Sequence, residues 1–201
     1  RQHHQHSDEE HDPHSPHVGD GGRIKRFMYS HLGWLFKIEQ PDQKRYIPDL
    51  RSDKDLALIS RLFPFWVLLS FIIPTVLGGV ISGTWFGAFT GFLWGGLVRI
   101  FFEHHVTWSV NSVCHIWGSQ PYQSHDHSRN NPIVGVLALG EGWHNNHHHY
   151  PASVRQGMYW WEIDITWYIL WMMQRVGLVS AMRGWPDALR SRSGPKRRRG
   201  G

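Results

Sequence analysis

The sequence predicts an all-α membrane protein, in which a transmembrane helical hairpin joins a helical, histidine-bearing cap on the cytoplasmic side. Three observations carry that expectation. Two apolar runs of bilayer length follow one another, at about 63–82 and 84–102. Only "SGT" separates them, which leaves room for nothing but a tight helical turn. Most of the 16 histidines fall in clusters outside those runs.

Composition narrows the class. The single cysteine, Cys114, excludes an internal disulfide and any cysteine-ligated zinc or iron–sulfur site. Twelve tryptophans suit a membrane interface, where the indole body meets hydrocarbon and its N–H meets water. The mean hydropathy is negative because polar ends flank an apolar middle, so it does not argue against a membrane protein. There is no initiator methionine and no signal-peptide pattern, and the first residues already lie inside a dense motif. The chain is therefore expected to be the C-terminal part of a longer protein, and to form one domain.

Residues 1–17 are expected to open with a helix that Asp12-Pro13 ends. Residues 18–55 mix glycine, proline and charge with short apolar runs such as "HLGWLF", and read as interfacial loops and short helices. The run "FPFWVLLSFIIPTVLGGVIS" holds no charge. At a rise of about 1.5 Å per residue it covers about 30 Å, the thickness of a bilayer's hydrocarbon core. The second run, "TWFGAFTGFLWGGLVRIFF", carries only Arg99, placed near an end from which it can snorkel. Gly83, Gly87, Gly91 and Gly95 recur at four-residue spacing and predict a groove for close backbone approach. The first helix is its evident partner, and the groove also suits helices upstream.

A hairpin returns the chain to its starting side, so both histidine clusters are expected on the same face of the membrane. Arg51, Lys54, Arg61, Arg99 and the basic tail lie there, while the hairpin tip is uncharged. The positive-inside rule makes that side cytoplasmic. The cap then comprises 1–55 and 103–183. Within it, 158–182 reads as a third span or as an amphipathic interfacial helix, and Glu162, Asp164, Gln174 and Arg175 favour the second. The tail, 184–201, is expected to be disordered and basic, suited to anionic lipid rather than nucleic acid.

The histidines have helical spacing. At about 100° per residue, His144, His147 and His148 share one face, while His149 points about 140° from His144. His3 and His4 form the last two members of the same H-x-x-H-H pattern, whose first member falls one position before Arg1. "HVTWSVNSVCHIWG" reads as a continuation of the second span that sets Asn111, His115 and Trp108 on one stripe. His104 lies roughly 16 Å from His115 by helix rise and cannot share an ion with it. Neutral imidazoles so arranged suit iron, zinc or copper. His6, His11, His17, His31, His104, His105, His125, His127 and His149 read as ordinary interfacial hydrogen-bonding residues. A metal transporter or store would bury its ligands at mid-membrane, where neither run holds a histidine.

"RQHH…DPHS", "HVTWSVNSVCHIWG" and "GEGWHNNHHHYP", in that order around one hairpin, resemble the membrane-integral fatty acid desaturases. The resemblance is to the acyl-CoA delta-9 (stearoyl-CoA) group, and to bacterial members more than animal ones. It implies a four-helix membrane stem, of which this hairpin is half, under a cytosolic cap with a histidine-ligated di-iron centre. It implies that two Fe2+ ions and dioxygen place a cis double bond, at the delta-9 position, in a long-chain saturated acyl-CoA or acyl-lipid. Carried over by position, His3, His4, His115, His144, His147 and His148 match metal ligands, and Asn111 a residue reaching metal through water. Thr107 and Trp108 match the acyl tunnel. Asp12 and Glu141, beside the motifs, are candidates for orienting ligand imidazoles, or simply cap helices. Two electrons must come from a separate protein (a ferredoxin, a rubredoxin, or a b-type cytochrome with its reductase), since the chain has no flavin, haem or iron–sulfur motif. An alkane or lipid hydroxylase of the same type shares the metals, and spacing alone does not separate the two. The family's first box, H-x-x-x-x-H, has no counterpart here, so this chain by itself is expected to hold iron poorly and to be inactive.

Overall fold

The computed structural model describes residues 1–36 and 42–185. Among them every regular element is helical, and strand character is limited to the isolated antiparallel bridges Ser119–Asn130 and Asn130–Trp143. The described residues fall into two compact units, one holding 42–105 with Arg1, the other 2–36 with 106–185.

In the first unit, the short helices Gln43–Tyr46 and Lys54–Arg61 start at aspartates whose carboxylates accept from the orphan amides of the first turn, Asp42 from Lys44 and Arg45, Asp53 from Asp55 and Leu56. The helix Phe63–Ser82 follows with proline in its first turn, where no N–H is needed. It ends at Gly83, which takes φ 64°, a left-handed conformation that costs glycine nothing. Thr84 then caps the next helix by accepting from the Gly87 amide at 3.0 Å. Helical structure runs from Trp85 to Ser112, through a π-helical stretch at Gly91–Val98. Both Phe63–Ser82 and Trp85–Ser112 are long and apolar enough to cross a bilayer. No residue of Phe63–Ser82 is buried, and Ile81 and Trp85 are 83% and 92% exposed. Apolar surface of that extent suits lipid, not water.

The glycine groove forms, with a different membership from the one expected. Gly83 belongs to the turn. Gly87, Gly91 and Gly95 pack on the first helix, where an added Cβ would lie 2.5 Å from the Gly78 carbonyl oxygen, 2.2 Å from the Pro74 carbonyl oxygen and 2.5 Å from Pro74 Cβ respectively. A four-residue spacing drifts by about 40° per step in an α-helix. The wider π turn over Gly91–Val98 turns less per residue, so Gly95 stays in line. Pro74 also explains Arg99. Proline offers no N–H to the Ser70 carbonyl one turn earlier. The Arg99 guanidinium donates there at 3.4 Å, donates to the Gly95 carbonyl at 2.8 Å, and pairs with Glu103 at 2.7 Å. Arg99 is thus tied to the hairpin while its side chain stays 45% exposed.

In the second unit the first helix, Gln2–His6, stops well before Asp12-Pro13. Asp8 takes φ 61°, and the Asp12 carboxylate accepts from the Asp8 amide at 2.8 Å and the His14 amide at 3.1 Å, folding 8–14 into a turn. The stretch 158–182 yields only the helix Ile165–Arg175, whose 11 residues rise about 16 Å, too short for a span. Glu162 and Asp164 are not on its polar face. They precede it and are buried, and Asp164 caps it by accepting from the Trp167 amide at 2.9 Å. Past Trp185, which is buried, the basic tail lies outside the described residues.

Replacing Gly91 with leucine should drive a side chain into the Pro74 carbonyl and destabilise the hairpin by about 1–3 kcal/mol, an overpacking cost. Thermal unfolding in detergent should show a lower midpoint for Gly91→Leu and no change for Val80→Leu, which is exposed.

Candidate metal centre

The interior of the second unit is built from polar groups. Its buried apolar side chains are few, chiefly Val110, Cys114, Val134, Trp143 and Trp185, while His3, His115, His144, His148, Asp12, Asp126, Asn130, Asn145, Asn146, Glu162 and Asp164 are all buried. Such a core holds only if its donors and acceptors are paired.

Three segments bring the imidazoles together: the helix Gln2–His6, the turn that follows the helix Arg99–Ser112, and the helix His144–His149. His115 therefore lies beyond its helix, not on a shared helical stripe with Asn111. His3, His115, His144 and His148 each bring a ring nitrogen within 4.8 Å of one another's. His115 Nε2 and His144 Nε2 are 3.1 Å apart, and so are His4 Nε2 and His147 Nε2. Two ligands about 2.1 Å from one ion would be roughly 3.0 Å apart at a right angle and 3.4 Å at a tetrahedral one. The two separations fit that range. Most telling, His3 Nε2 and His148 Nε2 are buried with no hydrogen-bond partner. A buried imidazole nitrogen left so is costly in a metal-free protein, and it is what a ligand awaiting its ion looks like.

Carboxylates hold three of these rings from behind. His3 Nδ1 donates to Asp12 at 3.0 Å, His115 Nδ1 to Asp8 at 2.8 Å, and His148 Nδ1 to Asp126. Burial alone would raise the aspartate pKa values. The imidazole bonds, with Ser15 and the His127 amide on Asp8 and Ser128 on Asp126, outweigh it, lowering Asp12 and holding Asp8 and Asp126 well below the usual range. Burial and neighbouring imidazoles push His4 down to about 3, His147 down to about 4, and His144 well below its ordinary value. These shifts favour the neutral form of His4, His144 and His147, the state in which imidazole ligates.

A six-residue helix cannot hold itself in water, so His144–His149 is fixed by its two asparagines. Asn145 accepts from the Tyr122 amide at 2.8 Å and donates to the Tyr122 carbonyl at 3.1 Å. Asn146 accepts from Asn130 at 2.7 Å and donates to the Glu162 carboxylate and the Gln156 carbonyl, both at 2.9 Å. His149 leaves the array, stacking on Tyr122 with Nδ1 3.0 Å from the Gln123 carbonyl.

The other expected site residues stand as follows. Asn111 is partly buried one residue before the helix ends, with no hydrogen bond to an imidazole among the described residues. Thr107 and Trp108 lie on the same helix, Trp108 in a T-shaped pair with His31, ring centroids 6.0 Å apart. Asp12 reaches His3, whereas Glu141 hydrogen-bonds no imidazole among the described residues, and burial with the nearby Asp164 raises its carboxyl. The sequence reading missed Asp8, Asp126, Asn145, Asn146 and Glu162. Its only hint for the first two was acidic residues scattered among histidines in "HSDEEHD" and "SHDHS".

The sequence profile of the fatty acid desaturase family matches residues 1–179. The chain belongs to the fatty acid desaturase family. It is 42% identical to a hex-5-enoyl-[acyl-carrier protein] acetylenase of Moorena producens (strain JHB), over 89% of this chain and 57% of that one. It is 37% identical to the chloroplastic palmitoyl-monogalactosyldiacylglycerol delta-7 desaturase of Arabidopsis thaliana, over 91% and 46%. With delta-9 acyl-lipid desaturase 1 of the same plant it shares 36% identity, over 91% and 56%. This desaturase-family chain spans about half the length of the curated relatives it matches.

Replacing Asn146 with alanine should remove one partner each from the buried Glu162 carboxylate and the Asn130 amide and cost about 1–3 kcal/mol, read as a lower unfolding midpoint. Acid should act on the metal-free protein through its imidazoles. Unfolded histidines take up protons below about 6.5, while His4 and His147 resist until about 3 and about 4. Between those limits the unfolded state binds more protons, so stability is full above the unfolded value and falls as pH is lowered. The midpoint should drop steadily from pH 7 to pH 5, and a flat profile would contradict the lowered values of His4 and His147.

Proposed function

We propose that the whole protein is a membrane fatty acyl desaturase that removes two hydrogens from adjacent carbons of a saturated chain, at the delta-9 position, leaving a cis double bond. The observation that carries this is the pair of buried, partnerless Nε2 atoms on His3 and His148 beside the close His115–His144 contact, in a chain of this family. His3, His115, His144 and His148 would hold one iron and His4 and His147 would contribute to a second, with Asn111 reaching metal through water. When bound, the irons supply the oxygen-activating chemistry that an unactivated C–H bond demands and that no side chain provides.

The chain's own task is positional. Imidazoles held by Asp8, Asp12 and Asp126 would offer lone pairs without reorganisation. Thr107 and Trp108 would line the path of the acyl chain and set which methylene pair is presented. Dioxygen takes four electrons, two from the C–H pair and two from an external ferredoxin, rubredoxin or b-type cytochrome. The substrate would be a long-chain acyl-CoA or acyl-lipid. The hairpin would lie in a bacterial cell membrane, with the cap on the cytoplasmic side as the charge pattern directs.

In the full-length protein, His147→Ala should abolish product while His149→Ala changes it less than about threefold, measured by mass spectrometry of fatty acids from cells fed stearate. Equal effects would contradict the assignment, and a hydroxylated product would replace desaturation with its nearest rival.

A further inference from the structure

The three carboxylate-backed rings are not spread evenly over the site. His3, His115 and His148 belong to one nitrogen cluster with His144. Each turns Nδ1 to an aspartate, so its proton sits there and its Nε2 carries a lone pair. Among the described residues no carboxylate hydrogen-bonds His4 or His147, the other close pair, and His147 Nδ1 is buried without a partner.

From this asymmetry we infer that Asp8, Asp12 and Asp126 are positioning residues for a single metal subsite, His3/His115/His144/His148, and make it the tighter of two. The inference rests on the two-ion reading above. A carboxylate behind an imidazole fixes its tautomer and ring angle and makes the far nitrogen a stronger donor. Here three aspartates act on one ion. Each is itself held: Asp8 by Ser15 Oγ at 2.6 Å and the His127 amide at 2.9 Å, Asp126 by Ser128 Oγ at 2.6 Å and the Ser128 amide at 3.1 Å, Asp12 by the Asp8 and His14 amides. The aspartates are thus part of the frame, and the rings can turn neither toward another acceptor nor away from the cluster. Asp8 joins the opening segment, the His115 turn and the 119–130 loop at one carboxylate, so the subsite's geometry is fixed by three distant stretches of chain at once.

The test is a chelator-competition titration of full-length, metal-stripped protein with Co2+, followed by absorbance and metal analysis, and repeated on variants. The wild type should bind two ions in separate steps. Asp126→Asn and Asp8→Asn should weaken the tighter step by about 10–100-fold and leave the second within about twofold. His147→Ala should remove the weaker step alone. Asp126→Glu should recover part of the loss, which a merely structural role would not require, and unfolding midpoints of the stripped variants identify any that fail to fold. If Asp8→Asn does, Asp126→Asn carries the test. Equal weakening of both steps, unaltered binding in Asp126→Asn, or a wild type with two equal steps would overturn the inference while leaving the metal centre standing. A wild type that binds no ion would overturn both.

Discussion

The second unit depends on keeping many imidazoles packed together in its interior with their ring nitrogens aimed at one another. Neutral imidazole has one donor and one acceptor nitrogen, and both must be accounted for in a dry interior. Here the donor side is satisfied in three rings by aspartates, and the acceptor side converges. Converging ring nitrogens are what a cation-binding set requires. The unit's scarce hydrocarbon core leaves its packing to polar groups.

That constraint orders the rest of the unit. The opening helix is only five residues long and the late histidine helix only six, each below the length at which a helix persists unaided. Both are fixed by side chains reaching from loops, Asp12 for the first, Asn130 and Glu162 for the second. The hairpin of the other unit follows different rules: its helices are long, apolar and exposed, and they meet through glycine and proline backbone contacts. Each unit uses the interaction its surroundings favour, close backbone packing in one and polar networks in the other.

Much of this was legible in the sequence. The spans at 63–82 and beyond 84 were readable because hydrophobic length is a property of local composition, and the divergence of His149 because helical spacing is fixed geometry. The helix boundaries were less readable. Asp8 breaks the first helix through a left-handed conformation that nothing in "HSDEEH" distinguishes from its acidic neighbours. Glu162 and Asp164 looked like a polar helix face, yet their partners are amides and asparagines brought close only by the fold. The same holds for Asp8 and Asp126, whose roles are set by residues 107 and 22 positions away. Patterns of spacing reveal ligands on one helix, and they are silent about what stands behind each ligand.

The most direct measurement is anomalous X-ray scattering at the iron edge from crystals of the full-length protein grown with Fe2+. The account predicts two peaks, one within bonding distance of the Nε2 atoms of His3, His115, His144 and His148, the other touching His4 and His147. A single peak, or iron bound away from these six rings, would contradict it.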